Sequence, residues 1–149
     1  MKRIIVLSIV ISVLFTANLF SKNLIEPKNS AQTKITVENL LRGVSSENSG
    51  LRFSCAYYLG ELKSEKALIP LMKMLRSDEK ECNRIMAALS LFKLQSERAV
   101  FMIKREATFN NSKRVREMCK IFYEAYLINM RTKASNEKSS QQIIAQSLR

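Results

Sequence analysis

The feature that most restricts what this chain can fold into is an internal period of 32 residues. Residues 46–77 (SENSGLRFSCAYYLGELKSEKALIPLMKMLRS) and 78–109 (DEKECNRIMAALSLFKLQSERAVFMIKREATF) align without a gap. Arg52 falls on Arg84, Ala56 on Ala88, Leu59 on Leu91, Leu62 on Leu94, Ala67 on Ala99, Leu71 on Ile103 and Lys73 on Arg105. A third, partial copy occupies residues 110–127, where Arg116, Met118, Cys119 and Tyr123 fall on Arg84, Met86, Ala87 and Leu91. Repetition at this length is the mark of a stacked architecture, in which each unit buries its apolar face only against its neighbours.

Each copy has helical spacing. Phe53, Ala56, Leu59 and Leu62, widened by Cys55 and Tyr58, define a first helix; Ala67, Leu68, Leu71 and Leu75 define a second. The breaks at Lys63-Ser64 and Gln95-Ser96 place a serine where a helix N-cap is wanted and an acid at the next position. Ser77 with Asp78 and Glu79 is expected to open the following first helix in the same way. Pro70 lies near the fourth position of its helix, where a missing N–H costs less than in the interior. Residues 35–46 match the second-helix pattern at a shift of 31, so the order is one helix, two helical pairs and a long closing helix. Only 3 Gly and 2 Pro in 149 residues agree with helices rather than tight-turned sheets. The expected class is all-α, a short α-solenoid of antiparallel helical pairs over residues 35–131.

The stretch 50–94 resembles the short HEAT-like repeats named after phycobilin lyases. The features that carry the resemblance are Arg52, Ala56, Leu59-Gly60, Ala67, Ile69-Pro70, Leu71, Leu75 and Asp78, over about residues 36–127. Two positions depart from the pattern: Asn83, where an apolar residue usually precedes the arginine, and Phe92, where Gly60 has no counterpart. The resemblance implies an α-solenoid that binds proteins. It does not bring lyase activity with it, because such repeats occur in many non-enzymes.

Outside the periodic region, Lys2 and Arg3 precede Ile4–Phe20, 17 residues without a charge. This is the pattern of a signal peptide, cleaved after Ala17 or Ser21 or retained as an anchor. The chain is therefore expected to be exported, and periplasmic or membrane-tethered. Residues 22–34, with Pro27, read as a linker. Residues 132–149, rich in Ser, Gln and Lys, read as a mostly disordered tail with at most a nascent helix. Cys55, Cys82 and Cys119 fall on helices of successive repeats and are expected to be buried apolar side chains rather than disulfides or ligands.

The absence of His and Trp removes the commonest general base and metal ligand, and no spacing of Glu61, Glu65, Cys55 or the lysines suggests a reaction. The chain is expected to be no enzyme, to need no cofactor and to take no small-molecule substrate. Its net charge of +12 favours acidic partners. The second helices are expected to line the concave side, with Arg42, Lys66, Lys73, Arg98, Lys104 and Arg105 as the candidate binding surface. The aromatics Tyr57, Tyr58, Phe122, Tyr123 and Tyr126 fit core filling better than anchoring a partner. Arg52, Arg84 and Arg116 are expected to form a ladder that holds adjacent units together. The function this suggests is an exported, non-enzymatic scaffold that holds an acidic envelope protein. The alternative is a basic module that binds membrane surfaces or nucleic acid, although an exported chain rarely meets nucleic acid.

Overall fold

The computed structural model describes residues 30–147, among which there is no strand. Six α-helices follow one another: α1 Ser30–Gly43, α2 Ser49–Glu61, α3 Leu68–Ser77, α4 Glu81–Leu94, α5 Glu97–Phe109 and α6 Lys113–Ser147. The all-α class and the order of one helix, two pairs and a long closing helix are as the period requires. By compactness the chain divides into two units, Met1–Thr36 and Val37–Arg149. The opening turns of α1 are the only described part of the first unit, and the second holds everything considered below. Residues 1–21 and most of the expected linker lie outside the described residues. Among those described, no helix is long and apolar enough to cross a membrane.

Two boundaries differ from expectation. Helix α1 begins within the expected linker, and α6 continues to Ser147 through the expected tail. Residues 127–141 of α6 are exposed throughout, so this extension is helical without adding to the core. The second helix of the first pair opens as a 3₁₀ turn, Glu65–Ala67, before becoming α-helical at Leu68. Pro70 explains the division, since its ring crowds the carbonyl four residues back and it has no N–H to give.

Burial follows the helical period more narrowly than the sequence pattern suggests. In α2, Cys55, Ala56, Leu59 and Gly60 are buried, whereas Phe53, Tyr58 and Leu62 are exposed. Residues three apart lag a full turn by about 60°, so a row from 53 to 62 drifts half-way round the helix and cannot all face one core. The second-helix stripe holds: Ala67, Leu68, Leu71, Leu75, Ala99, Val100 and Ile103 are buried, as are Val37 within α1 and Val44 just after it. Cys55, Ala87 and Cys119, at equivalent positions of the three copies, are buried. Burial pushes the Cys119 thiol up to about 12, with the nearby Glu106 charge adding to the shift. Cys82 departs from expectation: it is exposed, because its position is that of Gly50 and Arg114, on the outer side of each first helix.

The helix starts also correct the sequence reading in part. Ser96 caps α5 by accepting the Ala99 N–H, but Ser64 makes no side-chain cap. Asn48 caps α2, and Ser112 accepts the Val115 N–H at the start of α6. Lys80 precedes α4 without a side-chain cap, and Asp78 turns instead to the arginine ladder. Lys63 and Gln95, equivalent under the period, both have positive φ, of 47° and 53°, which is how the chain reverses between the helices of each pair.

The ladder is regular. Arg52, Arg84 and Arg116 each send Nη1 to the carbonyl six residues earlier, of Ser46 at 2.9 Å, Asp78 at 2.6 Å and Asn110 at 2.6 Å. Each arginine thus satisfies a free carbonyl in the connection that leaves the preceding second helix. Arg52 also grips Asp78 with two hydrogen bonds, Nε to Oδ2 at 2.7 Å and Nη2 to Oδ1 at 3.1 Å. Asn110 stands where a second such aspartate would be, and it gives its Nδ2 to Glu106 and to the Leu75 carbonyl. Arg84 Nε is correspondingly buried with no partner among the described residues.

Helix α4 packs on α2, and α6 on α4; α5 lies beside α3. In the first interface Gly60 meets Ser90 so closely that a Cβ on Gly60 would lie 2.8 Å from Ser90 Cα. The Ser90 hydroxyl donates to the Ala56 carbonyl at 2.7 Å. Under the period this pair becomes Phe92 and Phe122, which stack with centroids 5.8 Å apart. A close small-residue crossing is thus followed by a wider one filled by two rings. Asn83, the other departure from the repeat pattern, is fully buried and donates to the Ser49 carbonyl, Ser49 Oγ and Asp78, joining the start of α4 to the start of α2.

The two outer first helices differ in chemistry. On α2, the positions equivalent to those by which α4 and α6 dock carry Leu51, Tyr58 and Leu62, all exposed. On α6, the positions equivalent to the receiving side of α2 and α4 carry Lys113, Lys120 and Glu124, in two exposed i,i+4 ion pairs, Lys113 with Glu117 and Lys120 with Glu124.

Candidate functional site

The second helices present their outer side along three adjoining depressions. The central one, of about 390 Å³, lies between α3 and α5 and is lined by Ile69, Met72, Lys73, Arg76, Ser77, Met102 and Arg105. A depression of about 410 Å³ adjoins it toward α1 and shares Lys73 and Ser77. Another, of about 240 Å³, adjoins it toward the start of α6, shares Arg76 and Arg105, and adds Glu106, Phe109, Asn110 and Asn111.

Local sequence builds the central groove directly. Leu71 and Leu75 fix the inner side of α3, and Ala99 and Ile103 that of α5, so residues two and five positions away turn outward. Lys73 and Arg105 occupy the same repeat position on adjacent helices and meet at one groove. Ile69 and Phe101 stand one helical turn before them and are 57% and 67% exposed, high values for large apolar side chains. Met102 is almost fully buried and forms part of the floor with half-buried Met72.

Of the six cations expected to bind a partner, the structure brings Lys73 and Arg105 together. Arg42, Lys66 and Arg98 are exposed but do not line these depressions. The Lys104 ammonium lies 5.6 Å from the centre of the Tyr123 ring, which turns it toward α6. Arg76 lines two of the depressions and was not among the expected residues. Its repeat equivalent is Thr108, so a search for cations shared between copies passes over it; its i,i+3 spacing from Lys73 would have shown it. The aromatics divide: Phe122 stacks within the fold, Tyr123 packs against the core, and Tyr57 and Tyr58 are exposed, edge to face at 5.3 Å, with Lys93 over the Tyr57 ring.

Acidic groups sit at the ends of this surface rather than at its centre. Asp78 lies in the α1-side depression, where burial alone would raise its pKa, but hydrogen bonds from Arg52, the Lys80 N–H and Asn83 hold it below the usual carboxylate range. Glu106 is buried and accepts from Asn110 Nδ2 at 2.8 Å. The central groove therefore combines an apolar floor with three cations. Among the described residues no group of three His, Cys, Asp or Glu side chains could hold a metal ion. Neither a scan against protein-family models nor a search of curated proteins finds a match to this chain.

Proposed function

We propose that this protein is a non-enzymatic interaction module, a short HEAT-like α-solenoid that holds an acidic protein on the outer side of its second helices. The single observation that carries this reading is the groove between α3 and α5, where Lys73, Arg76 and Arg105 surround an apolar floor. Methionines in an apolar floor bordered by arginines match the composition of protein interfaces. The solenoid reading draws support from hydrogen bonds that join equivalent parts of successive copies, such as Ser90 to Ala56 and Asn83 to Ser49. Export, with a periplasmic or membrane-tethered location, rests on the apolar run of residues 4–20, and the partner would then be another envelope protein.

The test is site-specific photo-crosslinking in cells, with the reactive side chain at position 76 or 105, and at 66 as a control away from the groove. The expected result is a discrete protein adduct from 76 and 105 that is absent from 66. Adducts that do not differ among the three positions, or no protein adduct at all, would reject the assignment.

A further inference from the structure

We infer that the groove between α3 and α5 receives its partner as an acidic amphipathic α-helix, with apolar residues toward Ile69, Met72 and Met102 and carboxylates toward Lys73, Arg76 and Arg105. The inference rests on the acidic-partner reading above and adds the form the partner takes.

The distribution of charge decides the form. Lys73 and Arg76 stand one turn apart on α3, and Arg105 stands on α5 at the level of Lys73, so cations flank the apolar floor on both sides. A ligand that matches must present an apolar ridge with acids to the left and right of it. A helix does this, because residues at i, i+3, i+4 and i+7 make the ridge and their neighbours border it. An extended segment sends alternate side chains to opposite faces, so its acids would point away from the groove when its apolar residues point in. A lipid headgroup brings charge without an apolar ridge, so it would leave the floor of Ile69, Met72 and Met102 uncovered. Ile69 and Met72 of α3 and Met102 of α5 supply apolar contact from both helices, and the methionines adapt to the shape of what is inserted.

The experiment titrates the full chain with a synthetic amphipathic peptide of roughly 18 residues, with Leu on one face and Glu on both borders. A scrambled peptide of the same composition and vesicles of phosphatidylglycerol with phosphatidylcholine are titrated in parallel. The expected result is binding of the amphipathic peptide that is about tenfold tighter than that of the scrambled one. Ile69→Ser should weaken it by a similar factor, Phe101→Ser, which lies outside the groove lining, should leave it unchanged, and Arg76→Glu should abolish it. All three residues are exposed, so circular dichroism of the variants should match the parent. Equal binding of both peptides, lost together in Arg76→Glu, would overturn the helical form and leave the acidic-partner reading standing. No peptide binding, or binding indifferent to Arg76→Glu, would overturn the acidic-partner reading itself. Vesicle binding lost in Arg76→Glu, without peptide binding, would assign the groove to a membrane surface and overturn both.

Discussion

Asp78 ties the start of α2 to the turn before α4 and to α4 itself. It accepts two hydrogen bonds from Arg52, one from the Lys80 N–H and one from Asn83 Nδ2, and its side chain is 4% exposed. Asp78→Asn keeps the shape and removes the charge that these donors need, and should cost about 2–3 kcal/mol in urea denaturation at neutral pH. The pH dependence has a fixed sign. Because the folded pKa lies below the unfolded value of about 3.9, the contribution is complete above that pH and is lost as pH falls through the folded pKa. The gap between parent and variant should therefore narrow below about pH 4 and stay constant above it. The sequence itself carries the comparison one repeat later, where Asn110 occupies the equivalent place and Arg84 Nε has no partner among the described residues.

At the level of helices, the interface between α2 and α4 depends on one missing side chain. Gly60→Ala would put a methyl group 2.8 Å from Ser90 Cα and Cβ, atoms that cannot rotate away, so the helices must separate. We expect a loss of about 2 kcal/mol by chemical denaturation and weakening of the Ser90–Ala56 hydrogen bond, visible as faster amide exchange in α4. The positions of the helices were legible because Ala, Leu and Arg recur at a fixed distance, and that distance fixes which side of each helix is inside. What replaces Gly60 at Phe92 was legible only as an anomaly, since its explanation, Phe122, lies in a helix whose repeat match is partial. The 3₁₀ opening before Pro70 and the failure of Ser64 to cap were not legible, because both depend on how one proline shifts the first turn. At the candidate site, cations that repeat were found and Arg76, which does not repeat, was missed; Arg42, Lys66 and Arg98 repeat or neighbour a repeat but do not line the groove. Periodicity identifies a side of a helix, and whether two sides share a groove depends on the distance between helices.

Across the folded unit, the two ends of the helical stack are unlike. The closing helix carries Lys113 with Glu117 and Lys120 with Glu124 on its outer row, whereas the opposite end shows Leu51, Tyr58 and Leu62. A charged row cannot cover an apolar one without losing its hydration, so the two rows are mismatched as a contact between copies. Replacing Lys113, Glu117, Lys120 and Glu124 with Leu should produce concentration-dependent assembly in sedimentation velocity, where the parent sediments without such growth. The side-chain hydrogen bonds that join one helix to another span 26 to 35 residues, from Arg52–Asp78 to Leu75–Asn110. Loops of that size close at a nearly uniform and modest entropic cost, which favours rapid folding. Helix α4 can therefore lock onto α2 before the closing helix has docked, so the first contacts to form need only the chain up to Leu94.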